Sequence, residues 1–100
     1  MDYKKVLSSM AEVVEDLHKS GVILHPVDLT DDTVLIGKGA ALDSLSFVAL
    51  VADLEERISS KADVEIEIAL DKLDDFNVES PFISAHMLAT YIANLVAKNV

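Results

Sequence analysis

Eighteen acids against eight bases in a chain of 100 residues leave a net charge of −10, which repels phosphate backbones and anionic membranes, favours basic partner surfaces, and excludes nucleic acid as an expected ligand. With 51% apolar residues, three glycines and two prolines, the chain is too hydrophobic to stay disordered and has the size of one domain, residues 1–100, around one core. There is no cysteine, which excludes disulfides, thiolate metal sites and covalent chemistry through a thiol of the chain's own.

No apolar run reaches the ~20 residues of a membrane span, and the N-terminus lacks the continuous hydrophobic stretch of a signal peptide, so the expected location is cytoplasmic. From Tyr3 to Lys19, the residues Val6, Leu7, Met10, Val13, Val14 and Leu17 recur at helical spacing with charged residues between them, which predicts an amphipathic helix. Ser20-Gly21 is its expected stop. The connection from Val22 to Leu42 is long, and structureless loops of such length are uncommon and often functional. Leu29 and Val34 to Ile36 suggest a loop pinned across the helices. Asp28, Asp31 and Asp32 lack the ligand spacing of a calcium loop and read as a turn and a solvated charge run.

Asp43 or Ser44 can cap a second helix running to about Ser59. Around its axis Phe47, Leu50, Val51, Leu54 and Ile58 form a core stripe, while Ser46, Asp53 and Arg57 lie opposite and are expected in solvent. A third strip, Leu45, Val48, Ala49 and Ala52, flanks the core stripe and leads to Glu55 and Glu56. The alternating VEIEI of Val64 to Ile68 reads as an extended connection with Ile66 or Ile68 buried, since a lone strand would have no partner. Ala69 to Phe76 can form a short helix. The last helix opens with Ser80 as cap and Pro81 at its first position, or four residues later on Ser84. These elements predict an all-α fold: a small antiparallel bundle of three main helices plus one short helix, with a long loop between helices 1 and 2.

His18, His25 and His86 lie on unrelated elements without metal-ligand spacing, so no metal site is expected. Gly37-Lys38-Gly39 fails the spacing of a nucleotide loop; its glycines suit positive φ where the loop turns into the helix. Ser44 admits three readings: a cap, a nucleophile or an attachment point. A nucleophile needs a base oriented by a third group, and neither a neighbouring histidine nor a GxSxG elbow is present. No catalytic residue is therefore expected.

The segment LDSLSFVALVADLEERI, with Asp43 before Ser44 and Leu45 after it, opens an amphipathic helix that ends in Glu55-Glu56. Together with TDDTVLIGKGAALDSL ahead and SPFISAHMLATYI behind, it resembles the acyl carrier protein family over nearly the whole chain. The resemblance implies a carrier without turnover of its own. Ser44 would receive a covalent 4'-phosphopantetheine arm from coenzyme A through a separate holo-acyl-carrier synthase, and the arm's thiol would hold acyl intermediates as thioesters. Asp43 would support that modification. Leu45, Val48, Ala52, Glu55 and Glu56 would dock acyl-loading and acyl-processing enzymes that have basic surfaces, in fatty acid, polyketide or related lipid and polysaccharide biosynthesis. Size and charge suit a monomer. Ser46 and Ala49 stand where fatty acid carriers usually have acids, which points towards a specialised member. The alternatives are an aminoacyl carrier of the D-alanyl type and an unmodified helical module that binds a partner through the Leu45, Val48, Ala52 strip.

Overall fold

The computed structural model of the protein describes residues 2–69 and 82–98. In chain order these form α1 (Tyr3–Lys19), β1 (Val34–Ile36), α2 (Ser44–Ala62), β2 (Ile83–Ser84) and α3 (Ala85–Lys98). Three helices build the fold, and helix α1 contacts both of the others.

Helix α1 has the predicted span. The Asp2 carboxylate caps it by accepting from the Lys5 N–H at 2.9 Å. At its far end Gly21 turns the chain at φ 88°, a left-handed conformation open to glycine, and the Val22 N–H returns to the Leu17 carbonyl at 2.9 Å.

Helix α2 runs past its expected end near Ser59 to Ala62, where Asp63 adopts a left-handed conformation at φ 54°. The extra turn brings Lys61 Nζ to 3.0 Å from Glu12 and 3.3 Å from the Ser9 hydroxyl on α1. Beyond it, Val64 to Ala69 is neither helix nor strand, and Ile66 is the buried anchor. Three of its backbone N–H groups bond to side chains: Ile66 to Ser59 Oγ at 3.2 Å, Ile68 to Glu55 Oε2 at 2.8 Å, and Ala69 to the Tyr91 hydroxyl at 3.1 Å. Apart from Ala69, which is not helical, the short helix expected over Ala69 to Phe76 lies outside the described residues.

The last helix begins at Ala85, the later of its two predicted starts. Ser84 Oγ accepts from the Met87 N–H at 3.2 Å. Ser80 and Pro81 lie outside the described residues, but Ile83 and Ser84 cannot be helical because they pair with β1 as an antiparallel strand. This two-stranded sheet is an addition to the expected all-α bundle, and it pins the long connection at Val34 to Ile36. The same loop satisfies the first N–H groups of α3: Ala85 bonds to the Thr33 carbonyl at 2.8 Å and His86 to that of Asp31 at 3.1 Å.

All elements meet in one core. Helix α1 supplies Val6, Met10, Val13 and Val14, α2 supplies Phe47, Leu50, Leu54 and Ile58, α3 supplies Leu88, Ile92 and Val96, and Leu35 and Ile83 enter from the sheet. Leu50, Leu54 and Leu88 are wholly buried, each worth about 1.5–3 kcal/mol of transfer free energy. Among the described residues, no helix is long and apolar enough to cross a membrane.

A polar clasp closes the loop over the bundle. The Tyr3 hydroxyl donates to Asp31 Oδ1 in a short hydrogen bond, so Asp31 is more than a solvated charge. With its one proton directed there, the phenol oxygen accepts from His86 Nδ1 at 3.0 Å, which fixes the imidazole proton on that nitrogen. Burial, the Asp31 hydrogen bond and repulsion from Asp31 and Asp32 push the Tyr3 pKa up from 10.0 to about 12. A phenol whose pKa is raised by folding adds stability that is complete below pH 10.0 and lost as the pH climbs through about 12. The melting temperature of wild type should therefore fall more steeply across that window than that of Tyr3→Phe. At neutral pH, urea titration should find Tyr3→Phe less stable by no more than about 1 kcal/mol.

Candidate functional site at the start of helix α2

The loop delivers α2 through a tight return. Gly37 and Gly39, at φ 122° and 82°, turn the chain after β1, and the Ala41 N–H bonds back to the Val34 carbonyl at 2.8 Å. Lys38 points outward at the tip and Leu42 is buried, which fixes the entry of Asp43.

Asp43 is the cap. Its backbone is extended, its Oδ1 accepts from the Ser46 N–H at 2.7 Å, and its carbonyl accepts from the Phe47 N–H at 2.9 Å. The hydrogen bond from the Ser46 backbone N–H, foremost, holds the Asp43 carboxyl below the usual carboxylate range. Ser44 is thus the first residue inside the helix and does not cap it. It is exposed, and its hydroxyl has no hydrogen-bond partner among the described residues. It sits where the first N–H groups of α2 and the positive end of the helix dipole favour a negative group.

Two expectations about the face opposite the core stripe are corrected. Ser46 is buried, and its hydroxyl donates to the Val22 carbonyl at 3.3 Å, so it anchors the loop and does not meet solvent. Arg57 is only a quarter exposed and reaches across to α1, with Asp16 at 3.0 Å and Glu12 at 3.6 Å, and also to Asp53 at 3.7 Å. That side of α2 faces the acids Glu12 and Asp16 of α1, opposite in charge to Arg57.

The strip beside Ser44 is a surface. Leu45 is 76% exposed and Val48 62%, Ala52 and Glu56 are exposed, and Ala49 is half-buried, so Val48 and Ala52 do not belong to the core. Glu55 is half-buried and its Oε2 holds the Ile68 N–H, which gives it a structural task.

Sequence reasoning missed the segment Val22 to His25. With Ala41 to Asp43 and Ser46 it lines a cleft of about 130 Å³ beside the cap, and Leu24 stands 81% exposed there. Exposed leucines occur singly on many surfaces, and no periodic pattern signals one held against a helix start by a hydrogen bond from a residue 24 positions away. His25 lies in the same cleft despite its distance in sequence. Among the described residues neither its ring nor the Ser44 hydroxyl has a hydrogen-bond partner, so no oriented base there serves the hydroxyl. His86 is engaged with Tyr3, far from this cleft in the chain.

Comparison of the chain with protein-family models, with curated proteins and with solved structures returns no match. The reading of the site rests on its own geometry and on the sequence pattern.

A carboxyl whose pKa is lowered by folding adds stability above its unfolded value, near 3.8, that is lost as the pH falls through the folded value. Asp43→Asn keeps an acceptor oxygen but not the charge. Its unfolding midpoint in urea should stay close to that of wild type at pH 7 and respond less to acidification below about pH 4. Asp43→Ala should unfold at lower urea at both pH values.

Proposed function

We propose that the protein is a carrier whose Ser44 takes a 4'-phosphopantetheine arm and presents acyl cargo to separate enzymes. One observation carries this reading. Ser44 is exposed at the first position of α2, excused from capping by Asp43, and bordered by the exposed apolar pair Leu45 and Val48. A free hydroxyl beside a small docking strip is what a modifying enzyme needs to seize. The residues fit the group: the anion would lie at the helix start, and no side chain competes for the oxygen.

When attached, the arm supplies the thiol that a chain without cysteine lacks. The chain's own part is positional. Asp43 and Ser46 hold the first turn rigid, so Ser44 is offered in one orientation. Ser44 Oγ would form a bond to the phosphorus of the pantetheine phosphate as the pyrophosphate linkage of coenzyme A breaks and 3',5'-adenosine bisphosphate leaves, and the serine proton would pass to a base on the synthase, since no base among the described residues is placed for it. Leu45, Val48 and Ala52 make an apolar strip, and Glu56 beside it favours a basic partner. Cytoplasmic service to fatty acid, polyketide or related pathways follows from the same reading, with aminoacyl cargo as the variant that the surface does not distinguish.

The exposure of Leu45 and Val48 also suits an unmodified interaction module. The two readings part at the serine. Purified protein incubated with coenzyme A, magnesium and holo-acyl-carrier synthases of differing specificity should gain the mass of one phosphopantetheinyl group, and Ser44→Ala should gain none. An unmodified wild type across the whole set overturns the carrier reading in favour of the interaction module.

A further inference from the structure

We propose that the cleft between the first turns of α1 and the last turn of α2 binds a small phosphate monoester. The site is separate from the attachment serine and does not depend on the carrier reading. Arg57 meets Asp16 while Lys61 meets Ser9, so α1 and α2 run antiparallel and the start of α1 lies at the end of the bundle remote from Ser44. At the rise of an α-helix, Lys61 is about 26 Å along α2 from that serine.

Asp2, Lys4, Lys5, Ser8, Ser9 and Lys61 line a cleft of about 410 Å³. That volume falls within the roughly 300–1,000 Å³ of small-molecule sites. Three of the eight basic residues of a chain with net charge −10 meet here, so the local sign is opposite to that of the whole. Lys4 and Lys5 have no ion-pair partner among the described residues. Lys61 bonds to Glu12 at 3.0 Å and to Ser9 Oγ at 3.3 Å, which leaves the third N–H of its ammonium to give. The one carboxylate of the lining, Asp2, is engaged by the Lys5 backbone N–H at 2.9 Å.

A second observation, independent of the charges, points to an acceptor oxygen. Ser9 is only 2% exposed, and its hydroxyl accepts from Lys61 while its own proton has no acceptor among the described residues. The cleft therefore holds a buried donor as well as three cations. Lys4 and Ser8, like Lys5 and Ser9, stand four residues apart, so two neighbouring rows of α1 each carry an ammonium one turn from a hydroxyl.

This donor set suits phosphate. Ammonium groups bind it as point charges, and a monoester near its full charge offers three acceptor oxygens to donors arriving from two helices. A carboxylate offers two oxygens and a single charge. The remaining acids set the size of the ligand. Nucleic acid and anionic membranes meet the overall negative field, whereas a small ester inside the cleft is screened from acids beyond a Debye length of about 8 Å.

The test follows backbone amide NMR shifts of the whole chain at constant ionic strength, with glycerol 3-phosphate, adenosine 5'-monophosphate and succinate as probes. At least one ester should shift residues 4–9 and 61 to saturation, leave residues 43–48 unmoved, and bind at least about fivefold tighter than succinate. The double variant Lys4→Gln, Lys5→Gln, changed only at exposed side chains, should weaken that ester about tenfold or more and keep the wild-type spectrum elsewhere. Ser9→Ala should weaken it about threefold or more, and Ser44→Ala should bind as wild type does. Saturation by neither ester overturns the site, as does succinate bound equally well or binding undiminished in the double lysine variant. Retention of the protein by phosphatidylcholine vesicles containing phosphatidic acid, without binding of either soluble ester, also overturns it.

Discussion

Ser46 spends both of its hydrogen-bonding ends inward, and the start of α2 depends on it. Its N–H goes to the Asp43 carboxylate at 2.7 Å and its hydroxyl to the Val22 carbonyl at 3.3 Å. The first bond ends the loop and begins the helix. The second ties that junction to the exit of α1, a segment already fixed by Gly21 and the bonds back to Leu17. Two chain crossings are thus referred to one residue, and Ser44, between cap and tether, inherits a defined direction. A serine on a frayed helix start would present its hydroxyl in many orientations, each a fraction of the productive one.

Charge is unevenly spread over this frame. The acids Glu12 and Asp16 of α1 face Arg57 and Lys61 of α2, and Arg57 is held further towards its charged form by the Asp16 hydrogen bond. Pairs as exposed as these contribute roughly 0–1 kcal/mol each, so they do little for stability. Their effect is to neutralise one side of the helix pair. Glu56, on the side of Leu45 and Val48, has no ion-pair partner among the described residues and keeps its full charge for an approaching surface.

Periodic features of the chain were legible from sequence, and contacts between distant residues were not. The stripe of α1, with a glycine stop, gave its span because an apolar repeat and a left-handed turn are both local properties. The end of α2 ran late because Ser59-Ser60-Lys61 reads as a break only until Lys61 finds Glu12 and Ser9 on another helix. The sheet was invisible, since its strands are three and two residues long and their register depends on bringing Val34 to Ser84. Ser46 was assigned to solvent for the same reason. At 100° per residue it lies about 40° from Leu50, at the edge of the core stripe, and the path of Val22 covers that edge.

The cap settles how Ser44 itself must be explained. If it were the capping residue, its hydroxyl would have a structural reason for being there and the function could lie elsewhere. Asp43 takes that role with both carboxylate and carbonyl, so Ser44 occupies a helical position where its hydroxyl bonds to nothing among the described residues. Alanine has the higher helix propensity at such a place, because serine also competes for backbone partners in other conformations. Ser44 instead stands exposed at the first position of α2, after the capping acid and beside the exposed Leu45 and Val48.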